Sequence, residues 1–289
     1  MNAPWLTRLC ALSLLCLHGP LLGALPVTVS VPPQGYLVEA IGGERVDVSI
    51  MIEPGRSPHT FSLSPRRMMA LDDAQVYFKV GHPDLAFEQR FLNHVEGQGR
   101  GVRIVALSEG VDLVRLDEEH DHDHSHGETD PHLWVSPRIM RAAAERVADA
   151  LIDADPDGEA DYRAGLERFI TDVDALDEEI RSRFEPLERR RFVVNHPAWG
   201  YFARDYDMEQ VAIESGGRDP SPAELARFIE AAKAEDVRVI FVQKGFSQRG
   251  AKTIAQEIEA VVKTVDPLAE DWPDTLRRMS EAIHEALGS

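Results

Sequence analysis

The chain has 289 residues, 43% of them hydrophobic and 28% charged, with a formal net charge of -19 at pH 7. That length suits two domains of ordinary size, each able to bury a core, and the composition is that of a soluble globular protein. The acidic balance argues against nucleic acid or an anionic membrane surface as a partner and favours cations.

The first predicted element is a secretory signal peptide over residues 1–24. Arg8 precedes the apolar run LCALSLLCL, which His18, Gly19 and Pro20 interrupt, and small residues follow at Gly23 and Ala24. The run is too short and too broken to span a bilayer and has the order of a cleaved leader. Both cysteines, Cys10 and Cys16, fall inside it, so the mature chain is expected to hold no disulfide and no thiolate ligand. Cys16 follows Ser13, Leu14 and Leu15 rather than the small residues that precede a lipidated cysteine, which favours a free periplasmic protein over a lipoprotein.

Apolar runs rich in Val and Ile then alternate with amphipathic stretches. Segments 26–31, 46–52, 74–80 and 102–107 read as strands, separated by helical patterns such as QGYLVEAI and PDLAFEQRFLNHV. The second half repeats the plan with strands over 191–195, 208–214, 237–243 and 261–265. Continuous rather than alternating apolar character implies strands covered on both faces, hence parallel α/β sheets. Ser221, Pro222 and Glu224 fit the N-cap, first-turn proline and capping-box positions of a helix. Between the halves, Tyr162, Leu166, Phe169, Val173, Leu176, Ile180 and Phe184 recur at threes and fours, which predicts one amphipathic helix over about 157–185, ended by Pro186. The expected organisation is a signal peptide (1–24), an N-terminal α/β lobe (25–154), a connecting helix (155–187) and a C-terminal α/β lobe (188–289). Both lobes are Rossmann-like, joined by a stiff spine with a cleft between them. A plain core helix within one large domain is the alternative.

Four candidate metal ligands lie at strand ends or in loops: His59 in GRSPHTF, His132 in TDPHLWVSP, His196 in VVNHPAWGYF and Asp266 in TVDPLAEDW. Open α/β sheets gather ligands beyond the carboxyl ends of their strands. A single histidine there is more often a hydrogen-bonded structural residue than a ligand. Three histidines and a carboxylate, each beside a proline and two from each half, point to one site.

The stretch EEHDHDHSHGETDPHLW holds five of the eleven histidines, and they divide into two kinds. His132, next to Pro131 and followed by Trp134 and a helix start at Ser136-Pro137, belongs to structured chain. His120, His122, His124 and His126 alternate with Asp121, Asp123 and Ser125 in a loop (118–129) with no apolar anchor, which predicts mobility and weak auxiliary metal capture. A merely solvated acidic loop is the bland reading.

SPHTF, the His-rich loop with DPHLWVSP, the long helix, NHPAWGYF, GGRDPSPAEL and VDPLAEDW occur in the order seen in the zinc-uptake periplasmic binding proteins of ABC transporters, the ZnuA type, which this chain resembles over nearly its whole mature length. The resemblance implies a monomeric, non-enzymatic protein that binds Zn2+ in the cleft through His59, His132, His196 and Asp266 and delivers it to an ABC permease in the inner membrane. Manganese-binding relatives commonly carry a glutamate where this chain has His196. A manganese- or iron-binding homologue is the nearer alternative and a secreted metal-dependent hydrolase the more distant one. Neutral imidazoles with one carboxylate suit Zn2+, whereas Mn2+ prefers more oxygen. Four protein ligands leave no position for an activated water, and HExxH, the nucleophile elbow, the P-loop and the dinucleotide fingerprint are absent from the sequence. Two departures stand out: Gln243, Lys244 and Gly245 replace the glutamate, proline and glutamine that often precede the phenylalanine here numbered Phe246, and Pro58 leaves no glutamate before His59.

Overall fold

The computed structural model describes residues 23–288 apart from 53–55, 59–60, 98, 100, 116–128 and 215–219. His59, the loop histidines His120, His122, His124 and His126, and all but the last two residues of the expected signal peptide lie outside the described residues.

The first half builds β1 (Leu25–Val29), α1 (Pro32–Gly42), β2 (Val46–Ile50), α2 (Pro65–Ala70), β3 (Val76–Lys79), α3 (Ala86–Gly97), β4 (Arg103–Ala106) and α4 (Pro137–Ala154). After α5 (Glu159–Phe184), the second half adds β5 (Arg191–Val194), α6 (Gly200–Asp205), β6 (Glu209–Ala212), α7 (Pro222–Ala234), β7 (Val239–Gln243), α8 (Arg249–Glu257), β8 (Val261–Val265) and α9 (Trp272–Leu287). The sheets are four-stranded, ordered β2-β1-β3-β4 and β6-β5-β7-β8, and every pairing is parallel. The chain therefore folds as two α/β units of one plan. In each, the strand order reverses beside the first strand, so the loops leaving β1 and β3, and β5 and β7, open the crevice where ligands bind in such sheets.

Several local signals in the sequence act as expected. Ser221 Oγ accepts from the Glu224 amide while Glu224 returns a bond to the Ser221 amide at 2.7 Å, closing the capping box on α7. Ser136 caps α4 by accepting from the Ile139 amide at 3.1 Å, with Pro137 in the first turn where its missing N–H costs nothing.

The 26 residues of α5 form a rod about 39 Å long. Its buried face, Tyr162, Phe169, Val173, Leu176, Ile180 and Phe184, packs on α1, α4 and α9. The helix starts two residues later than the periodicity implies, because Pro156–Gly158 wind as a 3-10 turn first. At Gly165 the helix comes so close to α1 that a Cβ there would lie 2.2 Å from the Ile41 carbonyl oxygen. One continuous apolar core runs from β1 and β3 through α4 and α5 into β5, α6 and α9, and a smaller cluster lies under β7 and α8. Trp272, at the head of α9, packs its ring against Tyr36 of α1 and Phe169 of α5, tying α9 to both.

Candidate metal centre

His196 follows Asn195 at the carboxyl end of β5. The β5–β6 register places Val194 beside Ala212, so two residues on His196 comes beside Glu214. Its Nδ1 donates to Glu214 Oε2 at 3.0 Å, and Asn195 Nδ2 donates to the other oxygen of the same carboxylate. Asn195 also holds the Ser247 carbonyl at 2.9 Å, which draws in the loop after β7, and Phe246 of that loop stacks on the His196 ring with centroids 4.1 Å apart. Burial pushes the His196 imidazole below its ordinary pKa, and the Glu214 carboxylate opposes that shift.

His132 is held in the same way by a different route. Its backbone amide and its Nδ1 both donate to Asp130 Oδ1, at 2.8 and 2.7 Å, so Asp130 and Pro131 fix main chain and ring together. Asp130 Oδ2 accepts from the Gly200 amide at 3.2 Å, and the Asp130 carbonyl accepts from the Tyr201 hydroxyl at 2.8 Å. Gly200 has to be glycine for this approach, since a Cβ would come within 2.5 Å of Asp130 Oδ2. One buried carboxylate thus orients a histidine of the first half and anchors α6 of the second.

The two imidazoles face each other with ring centroids 5.2 Å apart and planes at 82°. A carboxylate accepts but does not donate, so each Nδ1 carries the proton and each Nε2 carries the lone pair, the tautomer a metal takes. Both Nε2 atoms are buried. The donor chemistry fits a borderline divalent cation such as Zn2+, with two carboxylates behind the imidazoles to stabilise its charge.

Asp266 leaves the end of β8 and is partly buried, which raises its carboxyl pKa. Its Oδ1 accepts from the Leu268 amide at 3.0 Å. Its loop is bound to that of His132: Trp134 Nε1 donates to the Pro267 carbonyl at 2.8 Å, and Trp272 Nε1 donates to the Trp134 carbonyl at 2.7 Å. Of the four ligands expected from sequence, the fold brings His132 and His196 together edge to face and sets Asp266 on a loop joined to the segment that carries His132. Among the described residues no group of three or more His, Cys, Asp or Glu side chains is poised around one point.

The family described as "Zinc-uptake complex component A periplasmic" matches residues 27–286. The chain belongs to this family. The high-affinity zinc uptake system protein ZnuA of Bacillus subtilis is 29% identical over 264 residues, covering 86% of this chain and 81% of that protein. The manganese-binding lipoprotein MntA of Halalkalibacterium halodurans is 27% identical over 237 residues, covering 81% and 75%. A crystal structure of ZnuA superposes with a TM-score of 0.84 at 34% identity, covering 91% of this chain and 99% of that one.

Within this zinc-uptake component A chain, the positioning residues Asp130, Glu214 and Phe246 are what the motif reading passed over. Asp130 stood in the quoted TDPH, and Glu214 ended a predicted strand, but the partnership of Glu214 with His196 needs β6 to lie beside β5. His82, just beyond β3, was also passed over. It is 3% exposed, accepts from the Asp84 amide at 3.2 Å through Nδ1 and donates through Nε2 to Thr129 Oγ1 at 2.8 Å. Both nitrogens are engaged, which makes it a brace between the loop after β3 and Thr129, the neighbour of Asp130.

Proposed function

We propose that this protein is a periplasmic zinc-binding protein that holds one Zn2+ through His59, His132, His196 and Asp266 and delivers it to an ABC permease, with no reaction catalysed. In this reading residues 1–24 direct export, residues 25–154 and 188–289 are the two lobes, and α5 is the rod between them. The protein acts as a monomer.

The observation that carries the proposal is the pair of carboxylate-oriented histidines, one from each half, with ring centroids 5.2 Å apart and each Nε2 buried. Two nitrogens fixed in this way favour Zn2+ over Mn2+, which prefers an oxygen-rich shell. The family's manganese-binding relative keeps manganese as the competing cargo.

Metal analysis of protein purified without added metal, followed by competitive titration with zinc and manganese, tests this. Zinc is expected to bind stoichiometrically and to displace manganese. His132→Ala and His196→Ala are each expected to weaken zinc binding by orders of magnitude. Manganese outcompeting zinc, or wild-type affinity in either variant, overturns the assignment.

A further inference from the structure

The last paired residues of β7 and β8 are Gln243 and Val265, so the next residues along, Lys244 and Asp266, leave adjacent strands side by side. Neighbouring strands lie about 4.8 Å apart, and residues in register point to the same face. Both side chains line one concavity of about 420 Å³, together with Lys263, Thr275 and Arg278. The other two cations there are committed elsewhere: Lys263 lies 2.7 Å from Glu285 and Arg278 2.8 Å from Asp271. Lys244 is exposed and makes no ion pair within 4.0 Å among the described residues, so its ammonium is left beside Asp266 in the same concavity. Beyond Lys244 the chain turns at Gly245, in the left-handed region at φ 88°, and reaches Phe246 on the face of His196. Lys244 is therefore tethered between two of the proposed ligands.

We infer that Lys244 is a resident rival of the cargo for the Asp266 carboxylate, lowering the affinity of the site for a divalent cation and speeding its release. This deepens the reading of His132, His196 and Asp266 as ligands and rests on it. A cation entering the site meets a permanent positive charge near the carboxylate proposed to hold it, and an ammonium on a flexible four-carbon stem can swing onto that carboxylate as the metal leaves. An exposed lysine near a carboxylate is ordinarily worth little. Here the carboxylate is partly buried, where screening is weaker, and the interaction is repulsive towards the cargo.

The test is made on the full chain with Lys244→Gln, Lys244→Arg, Asp266→Asn and the Gln/Asn double variant. Zinc affinity is read by competition with a chromophoric chelator and release by chelator chase. Lys244→Gln is expected to tighten binding about tenfold, chiefly through slower release, and Lys244→Arg to stay near wild type. In the Asp266→Asn background the Gln change is expected to lose most of its effect. Unchanged or weaker binding in Lys244→Gln, or an equal gain without the Asp266 carboxylate, overturns the inference while leaving the zinc reading in place. A wild-type protein that takes up neither zinc nor manganese overturns both.

Discussion

His132 and His196 are fixed by the same device, an Nδ1–H held by a carboxylate that is itself buried and held by other donors. The carboxylates hold the imidazoles in the tautomer and direction that let Nε2 receive a metal, so removing one should cost affinity without costing the fold. Glu214→Gln is expected to weaken zinc binding roughly 10- to 100-fold, read by chelator competition, with an unchanged circular dichroism spectrum. The acid response follows from burial. The pKa values of His196 and His82 are both held below the ordinary histidine value near 6.5. Between those lowered values and about 6.5 the unfolded chain binds more protons than the folded one, so the contribution of these residues to stability is complete above pH 6.5 and is lost on acidification below it. The melting temperature of metal-free protein should accordingly fall from pH 7 to pH 5, and a flat profile would count against a neutral buried His196. The two candidate histidines stood out in the sequence because each is beside a proline, His196 just past the end of β5 and His132 in the stretch that leads into α4. Their partners stood out less: Asp130 is two residues from His132 and was in view, whereas Glu214 is 18 residues from His196 and meets it only through strand pairing.

At the scale of elements, the strands were easy to place because parallel strands covered on both faces leave unbroken apolar runs. β8 was expected over 261–265 and spans Val261–Val265, while β1 and β2 end two residues short of the predicted runs. The close seating of α5 on α1 was invisible to periodicity, since it depends on a residue with no side chain. Gly165 lets α5 seat on α1 with backbone facing backbone, and the Ile41 carbonyl cannot rotate away as a flexible side chain would. Gly165→Ala, although it raises helix propensity, is therefore expected to destabilise the protein by about 1–3 kcal/mol through overpacking, seen as a lowered midpoint in urea unfolding. An unchanged or raised midpoint would mean that the two helices can slide apart without loss.

For the whole molecule, the His-rich segment and the body of the protein meet at a small junction. Arg115 and Thr129 pair as an isolated antiparallel bridge, and Thr129 is braced by His82. Removing residues 119–128 takes away His120, His122, His124 and His126 but leaves that bridge and the Asp130 clamp, so the tight site should survive with nearly unchanged affinity. Calorimetric titration should lose only the additional weak stoichiometry, because ligands on a loop as polar as the sequence implies would have to be ordered to bind and would lose to a preorganised site in competition for the first ion. Loss of the tight site would show that the five clustered histidines were divided wrongly. The bonds from Gly200 and Tyr201 to Asp130, from Trp134 to Pro267 and from Trp272 to Trp134 join the two halves through buried groups, and a shared core runs beneath them. Swinging the halves apart would strand those donors and expose that core, so the outline of the protein should be the same empty or full, with superimposable small-angle scattering profiles. A transporter meeting such a carrier has no change of silhouette to recognise. What distinguishes a laden molecule is two added positive charges within a surface of fixed contour, and loading is then signalled as a local electric field.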